Sequence, residues 1–295
     1  MKRSTSILIA VLVVLILAAY LVMQKPGEQS ASSGSSGLLA QIDSLAVDKI
    51  EVRAPDRTVV LEKKGTEWFV ESPMHYRADQ GNVASAIHQL KTLEGKGIVS
   101  NNPGKYSLFQ VDSTGTLVKV YEHGAEKLSM IMGKATSTYT DTYVRVGNST
   151  DVTVAGGVFG YVVSRPLKDW RDKTILTTPR ELIKEVKFQY GDTTFVLAEK
   201  DSVWMIGRDS TQLPAVSSLL GSLASIQADD FVDSTITPKV TAQISFGGNQ
   251  IRFAFKKETE KFFVQTGLSP QWYVIESWKA TQLLKRKKDL IKAKK

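Results

Sequence analysis

Three histidines, a run of aspartates and a Gly-rich stretch are the parts of this chain whose residue types could do chemistry. His75, His88 and His123 stand far apart, and none pairs with another at metal-ligand spacing or in an HExxH pattern. His88 falls on the polar side of an expected helix. His75, in a loop beside Met74 and Tyr76, is the one histidine worth probing. Asp229, Asp230 and Asp233 cluster, but their stretch lacks the Gly and distal Glu of a calcium loop and reads as a solvated helix terminus. The stretch "GGVFGYVVS" (156–164) has the wrong spacing to cradle phosphate, and a turn before a strand or helix is its expected role. No G-x-S-x-G elbow, P-loop or dinucleotide fingerprint occurs. The chain has no cysteine, so thiol catalysis, thiolate metal sites, disulfides and lipoprotein-type attachment are excluded. We therefore assign no catalytic residue, no metal ligand and no cofactor, and expect a protein that is not an enzyme.

The elements around these residues carry a clearer signal. "VVLEKKGTEWFV" (59–70) and "FVLAEKDSVWMI" (195–206) match at a constant offset of 136 residues, with Trp68 on Trp204. The register extends back to Ile50/Val186 and forward to Leu90/Ile226, which predicts a tandem duplication. In each copy three alternating runs read as strands joined by turns. Apolar residues then recur at helical spacing: Val83, Ile87 and Leu90, and Leu219, Leu223 and Ile226. Asp79 precedes the first of these helices as an N-cap. Four more strand-like runs follow, and each copy closes on a charged, helical segment, "RPLKDWRDKTIL" (165–176) or "WKATQLLKRKKDLI" (278–291). The expected class is α+β: two tandem repeats, each of antiparallel β-hairpins with one amphipathic helix. Trp68 and Trp204 are expected in the structural core of the repeats rather than at a site.

The termini suggest a location. Lys2 and Arg3 precede an apolar run, Ile7–Met23, that would make a helix roughly 25 Å long against a hydrocarbon core of ~30 Å. The run is longer than the h-region of a cleaved signal and is read as an uncleaved signal anchor. The positive-inside rule keeps the N-terminus cytoplasmic and puts the body in the periplasm or outside the cell, as a single-pass inner-membrane protein. A Ser/Gly-rich linker follows and spans roughly 20 Å on average. The expected organisation is an anchor at 1–23, linker at 24–39, first repeat at 40–178 and second repeat with a basic C-terminal helix at 179–295.

The net charge of +8 comes wholly from the two ends, leaving residues 29–284 without net charge. A nucleic-acid groove needs positive charge clustered on the folded body, so nucleic-acid binding is not expected. The basic C-terminus docks a helix through Leu283, Leu284, Leu290 and Ile291, or uses Lys285, Arg286, Lys287 and Lys288 to contact anionic lipid or an acidic partner.

A membrane anchor followed by the hairpin ending in Trp68, "SPMHYRADQGNVASAIHQLKTL" (72–93), "YSLFQVDS" (106–113) and "WRDKTIL" (170–176) resembles the bacterial domain of unknown function 4340 family. Asp112 stands where the family carries an acid, although Ser107, Phe109 and Val111 depart from the usual Tyr-Gly-Leu-Asp pattern. The resemblance supplies no catalytic residues. Genes of the family often lie beside those of gliding-motility-type ABC transporters, which implies an exported accessory or scaffold subunit with permease components as partners. The alternative expectation is an envelope protein that binds a glycan or peptide in a groove between the repeats. An envelope hydrolase using scattered carboxylates is a third.

Overall fold

Alternation of apolar and polar residues turns nearly half of the described residues into strands, because a strand points successive side chains to opposite faces. A computed structural model describes residues 37–157, 159–191 and 193–292. The expected anchor and nearly all of the linker lie outside these residues. Among the described residues, no helix is long and apolar enough to cross a membrane. The chain divides after Pro166 into two compact units.

The first unit opens with β1 (Gly37–Leu38), β2 (Val47–Ala54), β3 (Arg57–Lys64), β4 (Glu67–Ser72) and β5 (Tyr76–Arg77). Helix α1 (Gln80–Lys91) leads to β6 (Glu94–Ser100) and the single turn α2 (Tyr106–Phe109). The strands β7 (Thr116–Glu122), β8 (Ala125–Ala135), β9 (Asp141–Val146) and β10 (Val152–Gly156) precede the short helix α3 (Phe159–Val163). All ten strands form one sheet in the order β1-β6-β10-β9-β8-β7-β2-β3-β4-β5. Helix α1 buries Val83, Ala86, Ile87 and Leu90. Val83, Ile87 and Leu90 each contribute about 1.5–3 kcal/mol by this burial. Asp79 caps α1 by accepting the Asn82 amide at 2.8 Å. The neighbouring Gln80 side chain clamps the backbone of Trp68, accepting from its N–H at 2.9 Å and donating to its carbonyl at 3.0 Å. Helix start and strand β4 are thereby fixed together.

The second unit begins with α4 (Leu167–Trp170) and β11 (Thr174–Thr177). It continues through β12 (Glu185–Tyr190), β13 (Thr193–Lys200), β14 (Val203–Ile206), β15 (Asp209–Ser210) and α5 (Leu213–Ala224). Next come β16 (Ser225–Gln227), β17 (Asp230–Phe231), β18 (Ala242–Phe246), β19 (Asn249–Lys256), β20 (Lys261–Thr266) and β21 (Tyr273–Ile275). Two short helices, α6 (Ser277–Leu283) and α7 (Lys287–Leu290), close it. Nine strands pair in the order β15-β14-β13-β12-β18-β19-β20-β21-β17, while β11 and β16 make a separate two-stranded ribbon. Strand β12 alternates cleanly, burying Val186, Phe188 and Tyr190 and exposing the residues between. Both edges of each large sheet are two-residue strands: β1 and β5 in the first, β15 and β17 in the second.

This architecture corrects the expected fold class. The described residues are 46% strand and 21% helix, arranged in large antiparallel sheets, and not as α+β repeats of hairpins around one helix. The offset of 136 holds in local pairing: Ile50 faces Leu61 as Val186 faces Leu197, and Lys63 faces Trp68 as Glu199 faces Trp204. After the helices the units part. Strand β6 joins the main sheet over seven residues, whereas β16 leaves it to pair with β11. Helical spacing also overreached: Ile226 lies on β16, and 165–176 holds the four-residue α4 and then strand β11. Weighting one helix equally with many strands produced the wrong class. Most strands pair with their chain neighbours as hairpins, but the pairings that join these hairpins into two large sheets, such as β2 with β7 and β12 with β18, link residues far apart in sequence and leave no local pattern.

One charged residue in the first sheet is buried. Glu51 on β2 is 4% exposed and takes Lys49 at 2.7 Å and Arg53 at 2.5 Å. Burial pushes its carboxyl up, but the hydrogen bond from Lys49 and the charges of Lys49 and Arg53 outweigh it, so the carboxyl sits below its ordinary value. A carboxyl depressed in the fold stabilises it fully above the unfolded-state value, and that stabilisation is lost as pH falls through the folded-state value. Thermal melts from about pH 6 to about pH 3 should show a decline in stability that is shallower in Glu51→Gln. An unchanged decline in the variant would remove Glu51 from the acid response.

Candidate binding cleft and charged clusters

The β8–β9 hairpin carries a loop, Thr136–Thr140, that stands across from α3 in the first unit. The loop is held by Thr136 N–H donating to the Asp141 carbonyl at 2.9 Å and by Tyr139 N–H donating to the Thr136 carbonyl at 3.0 Å. The hydroxyls of Thr136, Thr138 and Thr140 form a ladder at 2.9 and 3.0 Å. At the base, the Asp141 carboxylate takes Lys96 Nζ at 2.8 Å and the Gly157 N–H at 3.3 Å. Gly157 has φ +93°, a conformation that L side chains rarely adopt, and it turns the chain from β10 into α3. The Gly-rich 156–164 is therefore a turn into a helix, as expected, and it forms one wall of a cleft.

That cleft has a volume of ≈ 260 Å³. Thr116, Thr142 and Ser164 are the hydroxyl-bearing aliphatic residues of its lining, with the Ser164 hydroxyl donating to the Tyr161 carbonyl at 3.3 Å, and Met132, Ala135 and Val163 are its larger apolar ones. Tyr139 and Tyr161 stand at it 73% and 67% exposed. Gly133, Gly157 and Gly160 keep the lining low. Gly160 matters because a Cβ there would lie 3.0 Å from Thr142 Oγ1. Among the described residues, the lining contains no carboxylate, no amine and no imidazole.

The segment 106–113 packs beside it. Helix α2 ends in Gln110 at φ +56°, and the Phe109 carbonyl comes so close to Gly133 that a Cβ there would lie 2.0 Å from it. Tyr106 donates to the Thr150 carbonyl at 3.2 Å and lies 4.7 Å under the Arg145 guanidinium. Phe109 meets Tyr143 at 4.9 Å. Asp112 accepts from the Thr114 hydroxyl at 2.6 Å and its N–H at 3.0 Å; these bonds hold the carboxyl below its usual value. The acid noted in the sequence stabilises a turn.

In the second unit, "WRDKTIL" places two large side chains in the interior. Trp170 is fully buried, and Arg171 is 1% exposed. The Arg171 guanidinium lies 3.7 Å over the Phe231 ring and donates to Asp233 at 2.7 Å. Lys168 pairs with Asp230 at 3.3 Å and Lys279 with Asp229 at 2.6 Å. Asp229, Asp230 and Asp233 thus flank strand β17 and each take a cation; they do not end a helix. Local spacing could not show this, because the cations come from about 50 to 60 residues away in sequence.

The other sequence-assigned residues are spread over both units. Trp68 is 7% exposed and packs in the first core, while Trp204 is only half-buried. His88 and His123 are exposed, and His75 stacks on Phe69 at 5.2 Å and meets Glu71 at 3.1 Å. Among the described residues, no group of three or more His, Asp or Glu is placed to hold a metal ion. Of the basic C-terminal residues, Arg286 stacks 3.8 Å over Tyr190 and Lys287 pairs with Asp209 at 2.8 Å. Lys285 is half-buried and its carbonyl accepts the Tyr190 hydroxyl at 2.7 Å, while Lys288 is exposed. The apolar stripe docks through Leu283 and Leu290, on two short helices in place of one. The cleft itself escaped sequence reading, since its lining comes from four separate stretches between residues 116 and 164.

Two large antiparallel sheets and a small two-stranded ribbon define a β-rich protein whose ion pairs serve packing. The chain belongs to the domain of unknown function family DUF4340, whose family profile matches residues 68–246. That span includes the cleft, the 106–113 segment and the Trp170–Arg171 pair. No curated protein matches the chain, and no solved structure does.

Proposed function

We propose that this chain is a non-enzymatic, membrane-tethered extracytoplasmic binding protein that serves as an accessory subunit of an ABC-type transport complex. The observation that carries the reading is the cleft, built from hydroxyls, glycines and exposed tyrosines without an acid or base. The apolar run at 7–23 and the Ser/Gly-rich linker support a tether that holds the binding unit near the bilayer. The transporter partner rests on the family resemblance. Purification of the tagged full chain from its native membrane after mild crosslinking should bring down a permease and an ATPase. Recovery of the chain with neither component would remove the accessory role and leave an envelope binding protein.

A further inference from the structure

We propose that the cleft between the Thr136–Thr140 loop and α3 takes one ring of a neutral, polyhydroxylated glycan. The inference rests on the binding reading above and names the ligand class for the same site. Charge decides first. Among the described residues, the lining holds no ionic side chain, and the nearby Lys96 and Asp141 neutralise one another at 2.8 Å. Phosphates, carboxylates and amines would therefore lose hydration in the cleft and gain no counter-charge. Hydrogen-bonding capacity decides next. Hydroxyls both donate and accept, so Thr116 and Thr142 match the same dual capacity of sugar hydroxyls, while Ser164, which donates to the Tyr161 carbonyl at 3.3 Å, keeps its acceptor lone pairs.

The tyrosines add flat apolar surface with a polar tip, at low cost in conformational entropy. Both rings stand mostly in solvent, Tyr139 on the loop and Tyr161 on α3, where they are free to stack on the C–H face of a sugar ring. An extended peptide fits less well. Strands β8 and β9 are each paired on both flanks, so the strands that contribute Met132 and Thr142 offer no edge for strand addition. Size limits the occupant. At ≈ 260 Å³ the cleft lies just under the ~300 Å³ at which sites for drug-sized ligands begin, room for a single ring of a longer chain.

The test is calorimetric titration of the full chain in lipid nanodiscs with the tetramers of N-acetylglucosamine, cellulose-type glucose and amylose-type glucose, with tetra-alanine alongside. We expect saturable binding of a tetrasaccharide with Kd on the order of 0.1–1 mM. Tyr139→Ala and Tyr161→Ala should each weaken it at least ~10-fold at unchanged melting temperature, while Tyr→Phe at either position retains most of it. Sugar binding that survives both alanine variants overturns the site. Tetra-alanine binding that the tyrosine variants abolish, with no sugar bound, overturns the glycan class but keeps the binding reading. Binding of none of the four overturns the glycan class, and the crosslinking experiment then judges the accessory role on its own.

Discussion

Arg171→Ala is expected to cost about 3 kcal/mol of stability, the largest loss from any single charged residue in the second unit. Three contributions add and one opposes. The substitution empties a site that is 1% exposed, and large-to-small changes in cores typically cost about 2–5 kcal/mol. It removes a charge-assisted hydrogen bond to Asp233 at 2.7 Å, worth about 1.5–3 kcal/mol, and the stack on Phe231. Against these, it relieves the cost of burying a guanidinium. For a chain of this size the melting temperature should fall by roughly 6–12 °C. Arg171→Lys should recover only part of the loss, because an ammonium neither stacks in plane nor forks its donors. Arg171→Met separates volume from charge: if it matches the wild type, the charge adds nothing net to stability. A loss below about 1 kcal/mol in Arg171→Ala would show that the site is not structural.

Removing residues 285–295 is the second change with a large expected effect. Leu290 is fully buried, and burying a leucine contributes about 2–3 kcal/mol. The same segment pairs with the start of α5 and the β15 edge. Gln212 N–H donates to the Leu290 carbonyl at 2.7 Å, Gln212 Nε2 to the Ile291 carbonyl at 2.7 Å, and Lys292 N–H to the Ser210 carbonyl at 3.0 Å. Truncation also strips the Tyr190 hydroxyl of the Lys285 carbonyl. In the intact chain burial pushes that hydroxyl well above its ordinary value, which keeps it a donor to that carbonyl. After allowing for the freedom the tail regains, the net loss should be about 3 kcal/mol, read by urea unfolding and by amide exchange at β15 and α5. A truncated chain that unfolds at the wild-type midpoint would show that the tail is merely laid on the surface. Deletion is therefore a poor probe of lipid contact. Lys285→Gln with Lys288→Gln lowers the charge and leaves Leu290 in place, and vesicle binding by that variant addresses the basic tail directly.

The sequence made local structure legible and long-range structure opaque. Hairpin β2–β3–β4 follows from its alternation and from turns at Pro55-Asp56 and Gly65. The α1 stripe and its Asp79 cap follow from helical spacing and side-chain chemistry. Strand β6 does not: "EGKGIVS" carries two glycines and two charges, and only its partners β1 and β10 make it a strand. Arg171 shows the same limit. Nothing in "KDWRDK" says that its arginine turns inward while Lys168 stays partly exposed; that is decided by Phe231 and Asp233, some 60 residues on. The cleft was the least legible feature, because Tyr139 and Tyr161 are brought to it by a loop and a helix with no shared pattern.

The lengths of the outermost strands bear on how copies of this protein behave when crowded. A long, bare flank of backbone donors and acceptors invites another chain to extend the ladder. Among the described residues, the outermost strand on each flank of the two large sheets is two residues long, which limits the ladder that this strand itself can offer to a neighbouring copy.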